Sequence, residues 1–116
     1  MGAHAAGAAE LLGDRKLVDA VLADYRTAPI PDKEKALFAF VGKVNERCPE
    51  VEQADIDALH AAGWNDEAIY DAVMVCALFN FYNRWVDATG DHEMSEAGYR
   101  MTGKRIAQRG YAPPEG

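Results

Sequence analysis

Residues 63 to 90, GWNDEAIYDAVMVCALFNFYNRWVDATG, decide how this chain is read. Asn65 or Asp66 caps a helix start, and Asp66, Glu67 and Asp71 put carboxylates in the first turn and a half, where the helix dipole stabilises them. Ala72 to Phe79 then carries no polar side chain. A helix apolar on every side belongs at the centre of a fold or in a subunit interface. Asn80, Asn83, Arg84 and Asp87 follow at i, i+3, i+4 and i+7, along one helical face. Amides and a guanidinium drawn into a partly buried setting must find partners. This end of the helix is therefore a structural polar network or the wall of a pocket. Polar networks outnumber active sites, so the structural reading is preferred, with Arg84 and Asp87 as a pair.

Outward from that rod, the patterning is helical throughout. Asp14 caps a helix from about Asp14 to Arg26, which carries Leu17, Val18, Val21, Leu22 and Tyr25 at helical spacing. Ala28-Pro29-Ile30-Pro31 breaks it, and Pro31-Asp32-Lys33-Glu34 starts the next, with proline and acids in the first turn. Leu37, Phe40, Val41 and Val44 stripe that helix, which ends before Pro49. Val51 to Asp55 opens another, with Ile56, Leu59 and Ala62 on one side and Gly63 as the terminator. Glu93 to Gln108 forms a last helix weakened by Gly98 and Gly103, and residues 110–116 read as a loose tail.

No window alternates as a strand does, so an all-α fold of about five to six helices is expected. With 116 residues, a single domain over 1–109 is expected. A formal charge of −7 argues against nucleic acid, which is met by basic surfaces. No stretch approaches the roughly 18 to 20 apolar residues of a membrane span. The N-terminal residues lack the basic start and apolar centre of a secretory signal, and a cytoplasmic protein is expected.

Few residues here suit chemistry. Cys48 and Cys76 are the two cysteines and do not stand at C-x-x-C spacing. Cys48 ends a helix, where backbone carbonyls oppose negative charge, and Cys76 sits in an apolar run. His60 and His92 fit surface positions without neighbours at ligand spacing, so no metal site is read. Arg100, Lys104, Arg105 and Arg109 make the last helix basic against an acidic body, as a docking face or a solvated one.

Two longer stretches carry more. PDKEKALFAFVGKVN (31 to 45), then ADIDALHAAGWNDEAIYDAVMVCALFNFYNRWVDATG (54 to 90), resemble the carboxymuconolactone decarboxylase and AhpD-like alkylhydroperoxidase superfamily, closest to its peroxidase-related branch. The likeness rests on Pro31, Glu34, Ala36 and Leu37, then Ala54, Asp55, Leu59, Ala62 and Gly63. It continues through Asp66, Glu67 and Ile69 into the Phe79-Asn80-Phe81 and Asn83-Arg84 ending. It extends from about Leu11 to Gly90 and implies an oligomer-forming helical bundle that needs no cofactor.

The activity implied is thiol-dependent reduction of organic or hydrogen peroxides through a C-x-x-C-x-x-x-H motif. One cysteine thiolate attacks the O–O bond, and the second resolves the resulting sulfenic acid as a disulfide. By position His4 is the motif histidine, which makes it the catalytic candidate. The chain then begins one residue after the second motif cysteine, so impaired or absent dithiol activity is expected of these 116 residues. Two further expectations stand beside this one. One is a cofactor-free lactone decarboxylase, and the other a non-catalytic helical module that acts by homo-oligomerisation, with Trp64, Phe79, Phe81, Tyr82 and Trp85 in its adhesive surface.

Overall fold

The computed structural model describes residues 2–90 and 94–110. It contains six α-helices: α1 (Gly2–Leu12), α2 (Arg15–Asp24), α3 (Asp32–Arg47), α4 (Gln53–Ala61), α5 (Asp66–Thr89) and α6 (Glu96–Arg109). A 3-10 turn, Cys48–Glu50, lies between α3 and α4, and no strand occurs among the described residues. The all-α expectation holds. His92, Glu93 and residues 111–116, the bulk of the expected tail, lie outside the described residues. The helices form two compact units, Met1–Pro29 with His92–Gly116, and Ile30–Asp91.

In the first unit α1 lies against both α2 and α6. Asp14 caps α2 as expected, its carboxylate accepting from the Leu17 amide at 2.9 Å. Ser95 caps α6 by accepting from the Gly98 amide at 3.2 Å. Gly103, read from sequence as a weak point of α6, has a packing role. A Cβ placed on it would stand 2.6 Å from the Ala6 Cβ and 2.8 Å from the Gly7 nitrogen. Only a residue without a side chain lets the two helices approach this closely, and that contact offsets the poor helix propensity of glycine. Ala5, Ala6 and Val18 are the buried apolar residues of these helices.

The second unit is built by α3, α4 and α5 around Phe40, Leu59 and Ile69. Leu59, at 2% exposure, is its most completely enclosed side chain. Leu37, Val41, Val44, Ile56 and Val73 pack against that trio, which gives the stripes read from sequence their core role. Glu52 and Asp55 form a reciprocal capping box at the start of α4. Gly63, at φ 104°, reverses the chain, and Asn65 caps α5 by accepting from the Ala68 amide at 2.8 Å.

Of the two places expected for the apolar rod, the centre of a fold is not the one it takes within this unit: α5 is not enclosed there on all sides, and Ile69 is its one buried residue. Ile69, Val73, Cys76 and Asn80, spaced by four, three and four, form its buried to half-buried stripe. Tyr70, Met74, Val75, Leu78, Phe81, Tyr82, Trp85 and Val86 are exposed. The reason is numerical. Two helices, α3 and α4, pack on α5 within this unit, and two neighbours cover one side of a 24-residue helix rather than its circumference.

Candidate functional site

Asn80 is the centre of the polar cluster. Its Nδ2 donates to Asn45 Oδ1 on α3 at 2.7 Å and to the Cys76 carbonyl one turn back at 3.0 Å, with the Cys76 Sγ at 3.7 Å. Arg84 Nη1 donates to Asn80 Oδ1 at 3.2 Å and to the Asn80 carbonyl at 3.3 Å. One amide side chain therefore couples α3, the Cys76 thiol and a guanidinium. Asn80 and Cys76 are half-buried while Asn45 and Arg84 are exposed, so the cluster lies at the rim of the core.

The four polar residues of this face do not act together. Asn80 and Arg84 join, whereas Asn83 and Asp87 stand exposed with no side-chain bond among the described residues. The Arg84–Asp87 pair read from sequence does not form, because Arg84 turns back toward the N-terminus of α5 and meets Asn80 at i−4. Asn45 was missed as the partner. Its signal was present in the Leu37-Val41-Asn45 spacing, which places a polar residue on the core-facing row.

Further polar contacts brace the second unit. Lys43 Nζ donates to Asp55 Oδ2 at 2.7 Å, with both side chains about a quarter exposed. The same Asp55 oxygen accepts from the Glu52 amide at 2.8 Å, and these hydrogen bonds hold the Asp55 carboxyl below its ordinary range, the Lys43 bond foremost. The Trp64 Nε1 donates to the Lys33 carbonyl at 2.8 Å, while the Lys33 ammonium stands 4.4 Å from a Trp64 ring centroid. Trp64 thus packs on the core instead of joining an outward adhesive surface. His60 Nε2 lies 2.6 Å from Asp66 Oδ1, which gives that first-turn carboxylate a structural partner.

His4 belongs to the first unit, on α1, where it is exposed. Partial burial, and then the positive charge at the chain's first residue, push its imidazole below the ordinary histidine range, which favours the neutral, proton-accepting form. Cys48 is exposed and Cys76 half-buried, and both are free thiols. Among the described residues no three His, Cys, Asp or Glu side chains come together in a manner suited to a metal ion. Nor is any helix among them long and apolar enough to cross a membrane.

No protein-family model matches this chain, and no curated protein matches it.

Proposed function

We propose that this chain is an AhpD-like, peroxidase-related helical protein, built on the scaffold of a thiol-dependent hydroperoxide reductase. The observation that carries the reading is the 2.7 Å link from Asn80, in the Phe-Asn-Phe-x-Asn-Arg stretch, to Asn45 on α3. A motif asparagine is thereby tied across two helices with a guanidinium against it. Other positions of the resemblance coincide with chain-directing points: Pro31 precedes α3, Gly63 turns the chain at positive φ, and Asp66 and Glu67 occupy the first turn of α5. His4, held toward its neutral form, can accept a proton, which suits the catalytic candidate that the resemblance makes of it as the motif histidine.

The residues present do not include a cysteine pair at C-x-x-C spacing, so a complete dithiol cycle is not available to these 116 residues alone. The test is hydroperoxide consumption with a thiol donor, measured on this chain and on a version extended by a Cys-x-x-Cys pair placed directly ahead of Met1, at the spacing of the motif. Turnover by the extended version, with the 116 residues at background, is the expected result. Background rates for both overturn the reading.

A second reading, homo-oligomerisation, is favoured by the exposed face of α5. Tyr70, Phe81, Tyr82 and Trp85 are 51 to 69% exposed, and Phe81 packs edge-on to Tyr82 with ring centroids 5.5 Å apart. Four aromatic side chains of ~150–250 Å² each, half or more exposed, supply a large part of the ~800 Å² per partner typical of a stable interface. Self-association through this face is compatible with the peroxidase-related reading. Light scattering tests it, and a monodisperse monomer overturns it.

A further inference from the structure

The basic residues of α6 remain unexplained by either reading. In the first unit α2 and α6 both lie against α1 and do not pack on each other, so a cleft opens between them over α1. It is an open groove of about 380 Å³, with Glu10, Arg15, Arg100 and Lys104 exposed along it. Ala6, Ala9 and Gly13 form a floor of small residues, and Arg15, Arg100 and Lys104 line the walls with Glu10. A neighbouring hollow of about 530 Å³ shares Arg15 and Arg100 and brings in Tyr99 and the carboxylates of Asp19 and Glu96.

The charges in this cleft are not internally balanced. Arg15 pairs with Asp19 at 2.8 Å, but Arg100 and Lys104 have no carboxylate partner among the described residues. They stand at i and i+4 of the same helix, where like charges repel. With Arg15 paired to Asp19, two unpaired cations, Arg100 and Lys104, line one concavity beside Glu10 in a chain whose formal charge is −7. An anion between Arg100, Lys104 and Arg15 would relieve that repulsion. Guanidinium groups present parallel N–H donors that fit a carboxylate or phosphate, and lysine adds a point charge. The small residues of the floor leave room for a short carbon chain.

We propose that this cleft binds a small organic anion, its carboxylate or phosphate head held by Arg100, Lys104 and Arg15 and its carbon chain lying over Ala6 and Ala9. This goes beyond peroxide reduction, because a hydroperoxide group is neutral near pH 7 and gives these cations no charge to meet.

The experiment is a calorimetric and NMR titration of the chain at low salt with inorganic phosphate and, separately, with hexanoate. Saturable binding of either probe, weakening as salt is raised, is expected. Phosphate bound more tightly assigns a phosphate head, and hexanoate bound more tightly assigns a carboxylate with an apolar chain. Arg100→Gln and Lys104→Gln should each weaken binding roughly tenfold, in line with the loss of one charge-assisted hydrogen bond. Arg109→Gln, an exposed change on the same helix outside the cleft, should leave it unaltered. Circular dichroism checks that each variant remains helical. Absence of saturable binding by both probes, or equal binding by the Arg100 and Lys104 variants, overturns the proposal. No outcome depends on peroxidase activity, so this test and that of the proposed function fail separately.

Discussion

Asn80 on α5 donates to Asn45 on α3 across 2.7 Å, and it does so with an amide that also binds the Cys76 carbonyl and receives Arg84. The α3–α5 packing therefore has a polar latch at its rim as well as an apolar core. Replacing Asn80 with Ala removes the latch and leaves Arg84 only the backbone carbonyl of residue 80 as its i−4 partner. A loss of about 1 kcal/mol is expected, the net value of a hydrogen bond at a partly exposed site. A double-mutant cycle with Asn45→Ala, read by urea unfolding, should return a coupling of ~0.5 kcal/mol or more. Strict additivity would show that the two amides do not act as a pair.

Two glycine substitutions should change stability in opposite directions. Gly103→Ala forces a methyl group to within 2.6 Å of Ala6, so α1 and α6 must separate, at a cost of ~1–3 kcal/mol. Gly42 lies within α3 with nothing within 4 Å of its would-be Cβ. Gly42→Ala should stabilise by ~0.5–1 kcal/mol through helix propensity and a less flexible unfolded chain. Thermal unfolding of the two variants beside the unaltered chain checks both signs.

The acid limb of stability should carry a signature of Asp55. Its carboxyl lies below the ordinary value of 3.8 in the folded chain, chiefly through the Lys43 hydrogen bond. The stabilisation is complete above pH 3.8 and is lost as the pH falls through the lowered folded value. Asp55→Asn should lower stability at neutral pH and flatten this acid limb. An unchanged pH profile would show that the Lys43 contact contributes nothing in solution.

His4 should add a second limb at milder pH. Its folded value lies below the ordinary 6.5, so the unfolded chain binds the proton more readily. The stabilisation is complete above pH 6.5 and fades as the pH falls through 6.5 toward the lowered folded value. Denaturant midpoints of the unaltered chain and of His4→Gln, compared between pH 7.5 and 5, check this. Parallel curves would remove the argument that His4 is held neutral.

If α5 mediates self-association, Trp85 is its most sensitive position, being 62% exposed and 5.9 Å from Phe81 between ring centroids. Trp85→Lys should convert an oligomer into a monomer in light scattering and leave the helical signal intact. Retention of the oligomer would move the interface elsewhere on the chain.

Local rules placed the helices because their signals are carried by neighbouring residues. Asp14 and Asn65 cap where their side chains reach the next turn, the Pro29 and Pro31 pair separates α2 from α3, and Gly63 reverses the chain. The stripes containing Phe40 on α3 and Leu59 on α4 were legible for the same reason, since burial follows helical spacing, whereas Ile69 on α5 entered the sequence reading only through the resemblance. The candidate site was only half legible. Spacing put Asn80 and Arg84 on one face, but spacing is silent on direction, and Arg84 turned toward Asn80 instead of Asp87.

The sequence alone thus determined an all-helical chain with its caps, breaks and apolar stripes, all consequences of contacts within about four residues. Tertiary structure decided which apolar surface is covered and which glycine is indispensable. An apolar run such as Ala72 to Phe79 does not say how many helices will surround it, and two neighbours leave its outer side exposed. Gly103 costs helix propensity in one dimension and permits the α1–α6 approach in three. The Asn45–Asn80 bond, 35 residues apart in sequence, exists because packing of α3 on α5 brings two amides within reach, and no local rule carries that distance.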